Sequence, residues 1–128
     1  MQEIKIRYVI KLGNGKILIK IFTIDEIQNG VALVWLIKNI DDGDIISRDL
    51  FTGKQDKNGK DIYQGDILRD STGICLVSWN NDFASFCLRR KGWAYDHFFG
   101  EAVDSNDTEI IGNNHQNHEL SEGKNENN

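Results

Sequence analysis

Ile4-Lys5-Ile6-Arg7-Tyr8-Val9-Ile10-Lys11-Leu12-Gly13-Asn14-Gly15-Lys16-Ile17-Leu18-Ile19-Lys20-Ile21 is the stretch whose pattern decides the architecture. Alternation is strict from Ile4 to Leu12. Ile4, Ile6, Tyr8, Ile10 and Leu12 fall on one face of a half-buried strand, and Glu3, Lys5, Arg7, Val9 and Lys11 on the other. Asn14-Gly15 suits a two-residue type I′ turn, because both central positions need positive φ. A hairpin over residues 3–22 follows. With that loop Leu12 pairs with Ile17, Ile10 with Ile19 and Tyr8 with Ile21, so the apolar residues of both strands share a face. The same register gathers Lys5, Arg7, Lys11 and Lys20 on the polar face.

Beyond the hairpin, Thr23-Ile24-Asp25-Glu26 has the form of a capping box, in which hydroxyl and carboxylate each satisfy an orphan amide at a helix start. The helix it opens, Ile24 to about Gln28, stops at Asn29-Gly30. Val31-Ala32-Leu33-Val34-Trp35-Leu36-Ile37 is a continuous apolar run. Its β-branched and aromatic content favours a buried strand, while periodicity leaves a short helix open. Asp41-Asp42-Gly43-Asp44 reads as a solvated turn at a subdomain boundary and lacks the ligand spacing of a calcium loop.

Further on, Asp56-Lys57-Asn58-Gly59 is a tight turn, and Gly65-Asp66 a second one leading into the strand Ile67-Leu68-Arg69. Gly73–Trp79, Phe83–Arg90 and Thr108–Ile111 add strand-like runs. The fold expected is α+β and mainly β: an N-terminal hairpin with a short helix over 1–45, then a small curved sheet or SH3-like β-barrel over 46–113. Residues 114–128 form a C-terminal segment and a polar tail, disordered by composition from Ser121 onward. Trp93-Ala94-Tyr95-Asp96-His97-Phe98-Phe99 is dense in aromatics, to be buried or to form an interface patch.

The run from Leu50 to Leu68, LFTGKQDKNGKDIYQGDIL, resembles the signature of the YopX family, approximately TGLKDKNGKEIYEGDIV. Weaker echoes bracket it. Met1 to Arg7 (MQEIKIR) is similar to the family opening MREIKFR, and Thr108 to Leu120 (TEIIGNNHQNHEL) to the closing EVIGNIYENPEL. Lys54 stands where the family usually has Leu, His115 for its Tyr and His118 for its Pro, departures that bear on how the C-terminal segment packs. The resemblance implies a phage or prophage accessory protein without an enzymatic activity, acting by binding a host or phage protein. It makes Tyr63, Gly65 and Asp66 candidate binding residues, against the simpler reading that they hold turn geometry.

Composition narrows the function classes. The 128 residues carry 15 Lys and Arg against 20 Asp and Glu, a net charge of −5 that opposes broad phosphate-driven nucleic-acid binding. A nucleic-acid module built on Lys5, Arg7, Lys11 and Lys20 is the alternative function, set against an ordinary solvated strand face. The longest apolar run, Val31–Ile37, is far below the roughly 20 residues that cross a bilayer, and no signal-peptide core follows Met1, so a cytoplasmic location in a bacterial host is expected. Cys75 and Cys87 lie in apolar surroundings without metal-ligand spacing and read as buried thiols. His97, His115 and His118 form no ligand set, and no Ser, Cys or carboxylate sits in a catalytic motif, so neither cofactor nor metal is expected. The apolar content of residues 31–37 with Trp93, Phe98 and Phe99 exceeds what a small N-terminal unit buries alone. A homo-oligomer, dimer or trimer, is therefore expected.

Overall fold

The computed structural model describes residues 3–99, 104–117 and 119. Its hairpin pairs β1 (Lys5–Leu12) with β2 (Ile17–Thr23), but one residue out of the expected register. The Leu12 amide donates to Lys16 O at 2.9 Å and the Gly15 amide to Leu12 O at 2.8 Å, with Gly15 at φ 87°. Gly13, Asn14 and Gly15 thus make a three-residue loop, a turn closed by one residue in the left-handed region, rather than the two-residue turn. Ile10 opposes Leu18, Tyr8 opposes Lys20 and Ile6 opposes Phe22. Every β2 side chain is consequently turned over. Leu18, Lys20 and Phe22 share the face of Ile6, Tyr8 and Ile10, and Ile17, Ile19 and Ile21 take the other.

The capping box forms as read: Thr23 Oγ1 accepts from the Glu26 amide at 3.2 Å and Glu26 Oε1 from the Thr23 amide at 2.9 Å. It opens α1 (Ile24–Gln28), which ends at Asn29. Gly30, at φ 82°, then starts α2 (Val31–Asn39), so the apolar run is a helix and not a strand. Covering the sheet with a helix of nine residues satisfies the backbone of this stretch locally. Ala32, Trp35 and Leu36 pack on Tyr8, Ile10 and Phe22, with Leu18, Ile27 and Ile45 around them. Phe22 is central, its ring edge-on to Tyr8 at 5.2 Å and to Trp35 at 5.9 Å between centroids.

β3 (Gly43–Gln55) is antiparallel to β1, with a bulge opposite Val9 and Ile10. Register sets Arg7 against Asp49. The guanidinium donates to Asp49 Oδ2 from Nε at 3.1 Å and from a terminal nitrogen at 2.8 Å, while Ser47 Oγ donates to Oδ1 at 2.6 Å. Both charged side chains are buried. The chain divides into two compact units, 1–51 and 52–128.

In the second unit the end of β3 pairs with β4 (Asp61–Tyr63). A five-stranded sheet follows, in the order β8 (His97–Phe98), β7 (Ser85–Arg89), β6 (Gly73–Asn80), β5 (Asp66–Asp70), β9 (Glu109–Asn113). All its pairings are antiparallel. It remains an open sheet: β8 and β9 stand at opposite edges, so the SH3-like barrel is not formed. One face carries the core, Leu68, Cys75, Val77 and Leu88 with Ile110 beside Leu68, packed against Ile62, Trp93 and Phe99. Cys75 and Cys87 are both buried and not joined in a disulfide. Register explains why: Cys87 opposes Ser78, whose side chain points away from the Cys75 and Val77 face.

Candidate functional site

The signature segment is organised by one carboxylate. In the turn after β3, Asp56 Oδ1 accepts from the amides of Asn58 at 2.9 Å and Lys60 at 3.0 Å, and Oδ2 from the amide of Ile110 at 3.0 Å. The Lys57 amide donates to Thr108 O at 2.9 Å. The turn is thereby stapled to β9 across 54 positions of chain. Burial opposes the charged form of Asp56, but the three amides, with Lys60 nearby, outweigh it and hold the carboxyl below its ordinary value.

Tyr63, Gly65 and Asp66 do converge, through the backbone. Tyr63 and Asp66 are buried, and Asp66 Oδ2 accepts from the Tyr63 amide at 2.8 Å. Gly65, at φ 89°, donates its amide to Val77 O and accepts from the Asn114 amide, both at 2.8 Å. These contacts tie the turn to β6 and to the end of β9. A side chain that destabilises the left-handed region strains all of them together. Gly65→Val is expected to destabilise the protein by about 1–3 kcal/mol, since a β-branched residue is costly at positive φ. The urea midpoint measures this, and an unchanged midpoint with a lost partner would instead make the turn a binding element.

The basic residues are dispersed. Lys5, Arg7 and Lys11 keep to one side of β1, but Lys20 is on the helix-covered side, its ammonium 5.3 Å from the Trp35 ring centroid and 5.7 Å from that of Phe22. Arg7 is buried against Asp49. Lys5 lies over the Phe51 ring at 4.4 Å, and Lys11 opposes Asp44. The flipped β1–β2 register is what takes Lys20 away from the other three, while pairing with β3 sets the surroundings of Lys5, Arg7 and Lys11.

Exposed apolar side chains are concentrated in two places. On α2, Val31, Leu33, Val34 and Ile37 point to solvent, Ile37 being 68% exposed. Beside them an open apolar cavity of about 250 Å³ is lined by Ile10, Leu36, Ile37, Ile40, Gly43 and Ile45. The second place is aromatic. Around the β6–β7 turn and β8, Trp79 packs edge-on to Phe86 at 5.1 Å and Phe83 on Phe98 at 5.2 Å, yet Phe83 is 58% and Phe98 44% exposed. Tyr95, 72% exposed, stacks on His97, which also contacts Trp93 at 4.1 Å. The aromatic density was legible; that it divides, with Trp93 and Phe99 half-buried against the core and Tyr95 and Phe98 outside, was not.

Other polar clusters are structural. Asp70 Oδ1 accepts from the Thr72 hydroxyl at 2.7 Å, the Thr72 amide at 2.8 Å and the Gly73 amide at 3.0 Å, closing the β5–β6 turn. Arg90 lies over Trp93 at 4.7 Å and donates to Cys75 Sγ at 3.0 Å. Burial nevertheless pushes the Cys75 thiol up, against that hydrogen bond, which favours the less reactive protonated form. Among the described residues no group of three or more His, Cys, Asp and Glu is placed to hold a metal ion, and no helix is long and apolar enough to cross a membrane. His115 sits in the turn after β9, its amide bonded to Asn113 Oδ1, whereas His118 and the tail from Ser121 lie outside the described residues.

Comparison with known proteins gives one finding. The family model described as YopX protein matches residues 16–122, which include the signature and every strand from β2 to β9. No curated protein matches the chain.

Proposed function

The chain belongs to the YopX family, and from that membership we propose that it is a non-enzymatic phage or prophage accessory protein of the bacterial cytoplasm, acting by binding another protein. The observation that carries the reading is the aromatic surface of the second unit. Trp79, Phe83, Tyr95 and Phe98 are each more than a third exposed. Large aromatic side chains left outside a core are the type that dominates protein-binding energetics, because they contribute much contact area for few rotatable bonds. Their placement supports the reading further: rings paired at 5.1 and 5.2 Å are already ordered before a partner arrives.

The test is affinity capture from infected or lysogenic cells with the wild-type chain and the Phe83→Ala/Tyr95→Ala variant, both exposed positions whose loss spares the core. A captured protein should be retained about 30-fold or more less well by the variant, as expected for anchors of about 2 kcal/mol or more. Equal capture by both forms would overturn the assignment to this surface. Retention of nucleic acid that falls steeply with salt would restore the alternative class.

A further inference from the structure

We infer, resting on the reading of the aromatic surface as a protein-binding one, that Asp96 is a positioning residue for it: with Arg89 and Asn80 it locks the β6–β7 turn, which carries Phe83, to the β7–β8 loop, which carries Tyr95. Two loops bearing exposed rings present one surface to a partner only while they hold their places relative to each other. Backbone pairing does little to fix the second of them, since β8 is two residues long and meets β7 only at Cys87–Phe98 and Leu88–His97.

Side-chain hydrogen bonds supply the link. Arg89 lies across from Asp96, one step beyond the Leu88–His97 pair, and donates to Asp96 Oδ1 from Nε at 3.1 Å and to Oδ2 from a terminal nitrogen at 3.3 Å. A two-point contact fixes the orientation of the carboxylate as well as its distance. Asp96 is the covered member of the pair, its side chain 13% exposed against 61% for Arg89. The Asn80 side chain hydrogen-bonds the same carboxylate. Asn80 ends β6, and its Oδ1 accepts from the amides of Asp82 at 2.9 Å and Phe83 at 3.1 Å. One carboxamide serves both loops, because its oxygen accepts while its nitrogen donates. Phe83 is thereby seated on Phe98 of β8, and Ala84 beside it stands at φ 48°, a conformation costly for a residue with a Cβ, which persists only where surrounding contacts impose it. Within the loop, Trp93 packs on the core with Arg90 over its ring, so Tyr95 is held between Trp93 and Asp96 and stacks on His97 although it is largely exposed. Burial opposes the charged form of Asp96, but Arg89 above all, with Asn80 and His97, holds its carboxyl below the ordinary value and keeps the link charged at neutral pH.

Amide hydrogen exchange followed by NMR tests the link without a partner. Asp96→Ala should speed exchange at Asp82 and Phe83, in the other loop, about fivefold or more. The urea midpoint should stay close to that of the wild type, because the guanidinium left behind is already solvated and such a pair contributes little. Unchanged exchange, or a collapsed midpoint, overturns the inference. Binding is read with the protein that the wild-type chain captures from infected or lysogenic cells. Asp96→Ala should hold it about tenfold less well, and adding Asp96→Ala to Phe83→Ala/Tyr95→Ala should cost nothing further, since a residue acting through those rings has no effect once they are gone. An additive loss would make Asp96 a contact residue and overturn the positioning role, as would undiminished retention by Asp96→Ala alone. A wild-type chain that captures nothing overturns the protein-binding reading itself and this inference with it.

Discussion

Asp49→Ala should unfold the protein at markedly lower urea concentration, with a loss of about 3–5 kcal/mol, the cost of leaving one member of a buried ion pair uncompensated. The buried Arg7 guanidinium spends two donors on Asp49 Oδ2, and Ser47 uses Oδ1. Removing the carboxylate therefore takes two hydrogen bonds and the opposite charge of Asp49 from a buried guanidinium, and an acceptor from Ser47, in the middle of the β1–β3 pairing. The companion variant Arg7→Met/Asp49→Leu removes both charges and fills the volume with apolar atoms. It should recover most of the loss, because the attraction of such a pair largely offsets its own desolvation. A single variant as stable as the double would show that the pair is solvated in solution. Circular dichroism against urea provides the comparison.

Asp56→Ala carries the second large expected effect. Hydrogen bonds to a charged acceptor contribute about 1.5–3 kcal/mol each, so losing three of them is expected to cost about 3 kcal/mol or more even if the contributions overlap. The effect depends on pH with a definite sign. The folded-state pKa is lowered, so the contribution is complete above the unfolded carboxylate's value of about 4 and is lost as pH falls through the lower folded value. Asp70 and Asp96 have lowered values as well and add to the acid limb. Asp56→Asn should therefore be less stable than wild type at neutral pH, and the gap should narrow on acidification below about pH 4. Parallel stability curves for the two proteins down to low pH would refute the clamp.

What the sequence disclosed follows from the range of the interactions involved. The capping box joins Thr23 and Glu26 within one helical turn, and both of its hydrogen bonds are found. The strands Ile67–Arg69 and Gly73–Trp79 were legible from composition and turns, and they lie within β5 and β6. Register was not legible. Gly13-Asn14-Gly15 serves a two-residue or a three-residue loop, and the choice is made by Phe22 and Leu18 packing under Trp35, contacts outside the hairpin. The helix α2 was equally hidden, since an apolar run of seven residues has no period. The signature's meaning was legible in part: its turns are turns, but Asp56 matters through Ile110, a partner no local pattern reveals. The long strand β3 escaped because its pairing with β1 is non-local and its sequence, with Arg48 and Asp49, has no apolar alternation.

Lys20 gives the misread register a further meaning. β2 is the outermost strand of its sheet and pairs with β1 alone, leaving one row of peptide groups without a neighbouring strand. Its apolar residues, Ile17, Leu18, Ile19, Ile21 and Phe22, form the kind of sequence that stacks strand upon strand into fibrils. In the observed register the ammonium rests on the rings of Phe22 and Trp35, midway along that edge. An incoming strand would have to press its own side chains onto this cation and strip its water. The lysine that the register separates from Lys5, Arg7 and Lys11 thus stands where it hinders the addition of a further strand at this edge.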